Sequence, residues 1–340
     1  MTTAVHGIIP TAVPGLLIRP VRWPDEAAAL ADIHNAGSLA AGKLQVVSVG
    51  EFVNDYAHLE HSDLATDLRL AELEGRPVAY VRVGWRDETA GGRLHDQGLF
   101  LLPEAPAGTL EAILGWSEGR SRTIAAGLPP RPPVSLGAYL GFEVAEHRAV
   151  LGRCGYRAAR HFFGMLRPTL DDVPDKPLPP GVEVRPVETR DVRTIFEAET
   201  AAFRTHWGAS DEDAGDARWL AFRDDPLNDL ALWRVAWAGD RVVGIVRPFI
   251  NPADLEILGV RRGWCENIST HADWRGRGIA TALIARALVA LRQRGVREAA
   301  LGVDAENETG AVRVYRAMGF EERWRETDFR KPLAPAEPGA

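Results

Sequence analysis

The chain has 340 residues, 46% of them hydrophobic and 26% charged, which suits a soluble globular protein of two domains of about 170 residues each. Its formal charge of −7 and pI near 5.8 give no basic excess, so a nucleic-acid partner is not expected. No run of 18 apolar residues is present, so no membrane-spanning helix is expected, and two cysteines, Cys154 and Cys265, are too few for a disulfide framework or a Cys-rich zinc site. A reducing, cytoplasmic setting follows from that cysteine usage as an expectation.

Residues 1–14 lack the charged and apolar regions of a signal peptide and read as a disordered arm. From there the chain repeats itself. GLLIRPV at 15–21 returns as GVEVRPV at 181–187, and GRPVAYVRV at 75–83 returns as GDRVVGIVR at 239–247. GYRAARHFFGMLRP at 155–168 returns as GFEERWRETDFRKP at 319–332. Three matches in one order, at nearly one spacing, indicate duplication. The implied layout is an N-terminal copy at 15–168, a Pro-rich linker at 169–180 and a C-terminal copy at 181–333. Prolines cannot continue a helix or a central strand, which is why the segment between the copies reads as a linker.

In the N-terminal copy, His95–Leu102 reads as a strand followed by PEAPAGTLEAILGW. In the C-terminal copy, Val182–Pro186 reads as a strand, Asp191–Phe203 and Asp216–Phe222 as helices, and Trp233–Ala238 with Arg241–Ile250 as a hairpin turning on Gly239-Asp240. Trp264–Thr270 is the next strand. Ile279–Arg294 has apolar residues at 279, 283, 284, 287, 288 and 291, an amphipathic helix closed by Gly295. Ala299–Val303, Gly310–Met318 and Trp324–Arg330 complete the order as strand, short helix and strand. Alternating strands and helices around a hairpin predict an α/β (α+β) fold with a mixed sheet and helices on both faces.

Between strand and long helix lies Arg275-Gly276-Arg277-Gly278-Ile279-Ala280, which fits Arg/Gln-x-x-Gly-x-Gly/Ala. Unpaired N–H groups and the helix dipole favour an anion at such a turn, and glycines let its backbone approach closely. Neither GxGxxG nor GxxxxGKS/T occurs here. Residues 1–170 contain no copy of the motif, and Pro103 and Pro106 interrupt the equivalent turn. The N-terminal copy is therefore expected to be a degenerate, structural partner.

The block from Cys265 to Phe320, with GVDAENETGAVRVYRAMGF as its second part, resembles the GNAT superfamily of N-acetyltransferases. The duplicated layout resembles its tandem actinobacterial members, the mycothiol synthase group. The resemblance implies a tandem GNAT acyl-CoA N-acyltransferase fold in two copies, with acetyl-CoA as co-substrate and no metal. It implies that the backbone of Ile268, Ser269 and Thr270 bonds the pantetheine arm and supplies an oxyanion donor, worth about 3–4 kcal/mol. Arg275, Gly276, Arg277, Gly278, Ile279 and Ala280 would hold the pyrophosphate, Asn307 would bond near the thiol, and Tyr315 would protonate the leaving thiolate. Several relatives carry a Glu where this chain has Trp264. Glu266, two residues on and on the same side of the strand, is the candidate base. Asn307 could equally be a helix-start cap, Tyr315 a packing residue, and Glu266 a cross-strand ion partner.

The segment from His206 and Trp207 through the acidic stretch 210–216 to Trp219 lies where the family places its acceptor loop, and its acids could attract a cationic amine. The expected acceptor is a small-molecule or peptide amine, with neither nucleic acid nor membrane as partner, the protein acting as monomer or homodimer. The alternative left open is a non-catalytic acyl-CoA-binding sensor or scaffold.

Overall fold

The computed structural model describes residues 7–307 and 309–333. Residues 1–6 of the expected arm and 334–340 of the tail lie outside the described residues. The N-terminal half runs β1 (Ile9–Pro10), β2 (Leu16–Pro20), α1 (Ala27–Ala40), α2 (Val49–Ala57), α3 (Leu64–Asp67), β3 (Leu68–Leu73), β4 (Arg76–Asp87), β5 (Arg93–Leu101), α4 (Thr109–Ala126), β6 (Val134–Leu140), α5 (Ala145–Arg153) and β7 (Arg157–Arg167). The C-terminal half runs β8 (Glu183–Val184), α6 (Val192–Phe203), α7 (Asp216–Asp224), β9 (Arg234–Ala238), β10 (Arg241–Ile250), α8 (Pro252–Leu258), β11 (Arg262–Thr270), α9 (Ile279–Gln293), β12 (Glu298–Asp304), α10 (Ala311–Ala317) and β13 (Glu321–Pro332).

The chain divides into two compact units, residues 1–161 with 326–340, and residues 162–325. This corrects the contiguous ranges read from the sequence. The first unit has the sheet order β1-β2-β3-β4-β5-β6-β13, closed by residues 328–332 pairing with β6. The second has β7-β12-β11-β10-β9-β8, closed by residues 162–167 pairing with β12. Each copy thus donates its last strand to the other's sheet. The expected arm is also corrected, since Ile9 and Pro10 pair with Ile18 and Leu17, and Thr11 Oγ1 accepts from Val13 N.

In the first unit every strand pair is antiparallel except β5–β6, and in the second every pair except β11–β12. Helices pack on both faces. α9 buries Leu283, Leu288 and Leu291 on one face of the second sheet, each worth roughly 1.5–3 kcal/mol. It can sit close because Gly244 and Gly263 lie beneath it; a Cβ there would meet Ile279 Cγ2 at 2.6 Å and Leu291 Cδ1 at 2.5 Å. α6 and α7 cover the opposite face through Ile195, Phe196 and Phe222. Residues 169–180 form no helix or strand but are pinned to α9: Leu170 is buried, Arg286 donates to Lys176 O and Arg292 to Leu170 O.

Among the described residues no helix is long and apolar enough to cross a membrane, and no group of three His, Cys, Asp or Glu could hold a metal ion. Cys154 and Cys265 are both free thiols.

Candidate active site

The site is built from a strand that bends. β11 pairs with β10 from Gly263 through Glu266, which stands opposite Arg247, then slips: Ser269 stands opposite Ile245. Asn267 and Ile268 therefore oppose the single residue Val246, a β-bulge, and Asn267 takes φ +53. On its other edge β11 pairs with β12 only from Arg262 to Trp264. Beyond Trp264 the two strands part, β11 staying with β10 and β12 with β7. The N–H and C=O groups on that edge of β11 face a wedge-shaped gap instead of a neighbouring strand.

Glu266 stands at the start of the gap and spans it: its Oε1 accepts the Gly302 N–H of β12 at 2.9 Å. Tyr315, on α10, is buried at 6% exposure, and burial, then the Glu266 charge, then Cys265, hold its phenol well above the usual tyrosine range. Tyr315 keeps its proton at neutral pH and lies within electrostatic reach of Glu266. These are the two groups singled out for acid and base roles, and the structure brings them together.

The Gly-rich turn lies at the wide end of the gap. Gly276 and Gly278 take φ +74 and +81, conformations that only glycine adopts without strain, and a Cβ on either would meet nothing within 4 Å. Intrahelical bonding starts with Ala282 N to Gly278 O, so the N–H groups of Ile279, Ala280 and Thr281 have no acceptor in the helix. Arg275 Nε donates to Thr270 O, Arg277 donates to Asp273 O, and Arg277 covers the Trp274 ring at 4.7 Å, which leaves the mouth open between them. Ile279 anchors the turn from below, fully buried. Ser269 is buried, and Ile268 and Thr270 are half-buried on the gap side of the bulge.

Other singled-out residues have a structural use. Asn307 Oδ1 accepts from Thr309 N at 2.8 Å and from the Thr309 hydroxyl, which makes it a turn cap ahead of α10. Trp219 packs with Phe196 and Phe222 under the Arg193 guanidinium. His206 stands edge-on to Phe203, and Trp207 lies 6.2 Å from Phe162. Ser210 caps the acidic turn 211–214 with Asp213. Trp264 is 2% exposed, lies parallel to Phe249 and donates its indole N–H to Asp254 Oδ2 at 2.7 Å. Asp254 is fully buried on α8, and burial lifts its carboxyl to about 6.

Sequence reasoning missed Gly302 and Asn267. A backbone donor such as Gly302 N–H has no side-chain signature. Asn267 had a weak one, since Asn tolerates φ > 0 better than most residues.

The N-terminal unit has the same layout without the gap. β5 pairs with β6 over seven residues, Arg93 to Leu99, and Gly141 N then bonds Leu99 O. β4 and β5 pair from Ala79 to Asp87 with no register shift, so no bulge forms. At the mouth of α4, Gly108 takes φ +89, but a Cβ there would meet Val13 Cγ2 at 2.9 Å, so the β1–β2 arm covers the turn.

Residues 192–320 match the model of the acetyltransferase (GNAT) family. A mycothiol acetyltransferase of Nocardioides sp. is 28% identical over 84% of this chain and 95% of its own length. An aminoglycoside N(6')-acetyltransferase type 1 of Stenotrophomonas maltophilia is 30% identical over 33% of this chain and 80% of its own length. The chain belongs to the GNAT acetyltransferase family. It is an N-acetyltransferase of tandem build, and acetyl-CoA is the co-substrate of its family. The crystal structure of a GCN5-related N-acetyltransferase from Sphaerobacter thermophilus, 27% identical, superposes with a TM-score of 0.72 over 96% of this chain and 98% of that one. The bulged, parted β11 and the open α9 turn both fall inside the 192–320 match.

Proposed function

We propose that the C-terminal unit transfers an acetyl group from acetyl-CoA to a primary amine of a small molecule by direct attack. The observation that carries this reading is the parting of β11 from β12 beside the open mouth of α9, which has no counterpart in the N-terminal unit. The fit to acetyl-CoA follows from donor chemistry. The amides of Gly276–Ala280 and the helix dipole suit a pyrophosphate. The unpaired edge of β11 from Ile268 to Thr270 suits an amide-rich pantetheine arm, and an N–H of that edge would stabilise the carbonyl oxygen as charge develops on it.

In this reading the amine nitrogen attacks the thioester carbonyl, the C–S bond breaks, and Tyr315 gives its proton to the departing thiolate. The proton lost by the amine passes to Glu266, directly or through water. A raised phenol pKa suits a donor and excludes Tyr315 as base. Asn307, already spent on Thr309 through Oδ1, has its amide nitrogen left for the cofactor. His206 and Trp207 border the acceptor side, and Trp219 supports them from the α6–α7 core. The N-terminal unit serves as structural partner, since its zipped strands and covered turn leave no room for a CoA arm. The expected acceptor remains an amine and no nucleic acid; the names of the two relatives make mycothiol-type and aminoglycoside amines the first to try.

Calorimetry with acetyl-CoA should give one site per chain, and thiol release with an amine panel should be slowed in Tyr315→Phe. Two sites per chain would overturn the assignment of the N-terminal unit. Binding without thiol release for any amine would overturn the enzyme reading in favour of an acyl-CoA sensor.

A further inference from the structure

A glycine inside a strand weakens it, and it is kept where the strand bulges, where another group crosses closely or where a ligand lies on the backbone. The strands of the C-terminal unit hold four: Gly164, Gly244, Gly263 and Gly302. Three of them carry a side chain of this chain. A Cβ on Gly164 would overlap the Trp324 ring, one on Gly244 would meet Ile279, and one on Gly263 would meet Leu291. Gly302 differs. A Cβ there would come within 4 Å of the Glu266 carboxylate alone, at 3.7 and 3.9 Å, and the residue is exposed although β12 pairs with β7 on both sides of it. No bulge accounts for it, since the register runs unbroken from Ala299 to Asp304, and its φ is not positive. The space above Gly302 is open.

Strand alternation fixes what borders that space. Leu301, Val303, Met165 and Cys265 belong to the α9 core, so Gly302, Asp304, Gly164 and Glu266 face the other way, toward α6. Trp324 stands on Gly164, directly across from Gly302. Phe162, across from Asp304, stands two residues along β7 on the same face, about 7 Å from Gly164. The Trp207 ring tilts against it at 57°. Asp304 accepts the Glu306 N–H through Oδ1 at 2.9 Å. Arg247 stands opposite Glu266 on this face, but its charge is answered by two bonds to Glu199, of 2.7 and 3.1 Å. An occupant would thus rest on bare backbone, with aromatic rings along β7 and carboxylates at Glu266 and Asp304. Aromatic faces give an apolar ring a flat wall and attract an ammonium group, and carboxylates accept from ammonium and hydroxyl donors.

We propose that Gly302 and Phe162 set acceptor specificity, and that the acceptor is an amine carried on a hydroxylated saturated ring, an amino sugar. Its ring lies over Gly302 against Trp324 and Phe162, and its amine is at Glu266. An open-chain amine would leave the rings uncovered, and an aryl amine would set an apolar ring between two acids. This inference rests on the acetyl-transfer reading of the same site.

The test measures thiol release from acetyl-CoA with glucosamine, ethanolamine and phenethylamine. Wild type should favour glucosamine at least tenfold in kcat/KM over each of the others. Gly302→Leu keeps the N–H that Glu266 accepts but fills the space above it, so the glucosamine KM should rise more than tenfold and the preference should vanish. Phe162→Ala should also raise that KM, and Phe162→Tyr should restore it. Acetyl-CoA affinity by calorimetry should stay at the wild-type value in all three variants, which a folding defect would not allow. Glucosamine binding to the CoA-bound protein, read by saturation-transfer NMR, should weaken in the same order and needs no turnover. Thiol release without a preference for glucosamine, or with that preference intact in Gly302→Leu, overturns this proposal and leaves acetyl transfer standing. Glucosamine binding that Gly302→Leu abolishes, with no thiol release from any amine, overturns the enzyme reading and keeps the site. Neither binding nor release overturns both.

Discussion

Replacing Glu266 by Gln isolates the charge from the shape. The amide keeps an oxygen for the Gly302 N–H, now at 2.9 Å from the carboxylate, so the exchange costs about 1 kcal/mol in that bond and the fold should persist. What disappears is the proton acceptor. An alkyl amine with a pKa of about 10 is roughly one part in a thousand neutral at pH 7, a handicap of about 4 kcal/mol, and a positioned base recovers about 10²–10⁴ in rate. The variant should therefore lose on the order of 10²–10³ in kcat at pH 7. Its rate should then climb about tenfold per pH unit as the amine deprotonates on its own, while wild type levels off earlier. The Tyr315 phenol should titrate lower, since the Glu266 charge is one of the groups holding it up. Thiol release at saturating acceptor from pH 6.5 to 9.5 reads both effects, with acetyl-CoA affinity as the folding control. A variant with wild-type kcat and an unshifted profile would refute the role of Glu266.

Gly278→Val should raise the acetyl-CoA Kd at least tenfold, because φ +81 costs an L-residue about 1–2 kcal/mol and the branched side chain enters the open mouth; unchanged calorimetric affinity would count against a phosphate seat there. Burial holds both His34 and His95 neutral down to about 4, below the ordinary 6.5. The unfolded chain then binds more protons than the folded one between those pH values, so their contribution to stability falls as pH drops through that window, by up to about 3 kcal/mol each. In urea unfolding, His34→Asn should lose less stability than wild type between pH 7 and 4.5, and parallel losses would contradict this. A fragment of residues 169–333 lacks β7 and should aggregate through the bare edge of β12, whereas residues 155–325 retain it and should bind acetyl-CoA. Soluble, CoA-binding 169–333 would show that the exchanged strand is dispensable.

Local features were the legible ones. α9 was readable from its apolar stripe and its closing glycine, and the β9–β10 hairpin from Gly239, which takes φ +61. The motif turn was readable because two positive-φ glycines one residue apart have few other uses. The exchange of β7 and β13 was not, since a strand's pattern states which face is buried but not which strand it pairs with. α8 announced itself through Asn251 as cap and Pro252 at its first turn, a signal the sequence reading passed over. Without α8, nothing supplied a partner for Trp264, which therefore looked like a lost carboxylate rather than a buried ring bonded to Asp254. Trp219 lay at the right place in the chain for an acceptor contact and at helical spacing from Phe222, and the packing role prevailed.

The two copies show how little separates an open site of this fold from a closed one. Both place a parallel strand pair beside a glycine-capped helix, so backbone layout alone does not make a site. In the C-terminal unit one extra residue at Asn267–Ile268 swings β11 off β12 after three paired residues, and the wedge follows from that slip. In the N-terminal unit the β4–β5 register does not slip, so hydrogen bonds zip β5 to β6 along seven residues and satisfy the edge that a pantetheine arm would need. Opening that edge would break several ladder bonds at once, while uncovering Gly108 would expose Val13 as well. The two obstacles are independent, so a single substitution cannot restore the second site: grafting the Arg275–Ala280 sequence onto 103–108 would leave the strands zipped behind it.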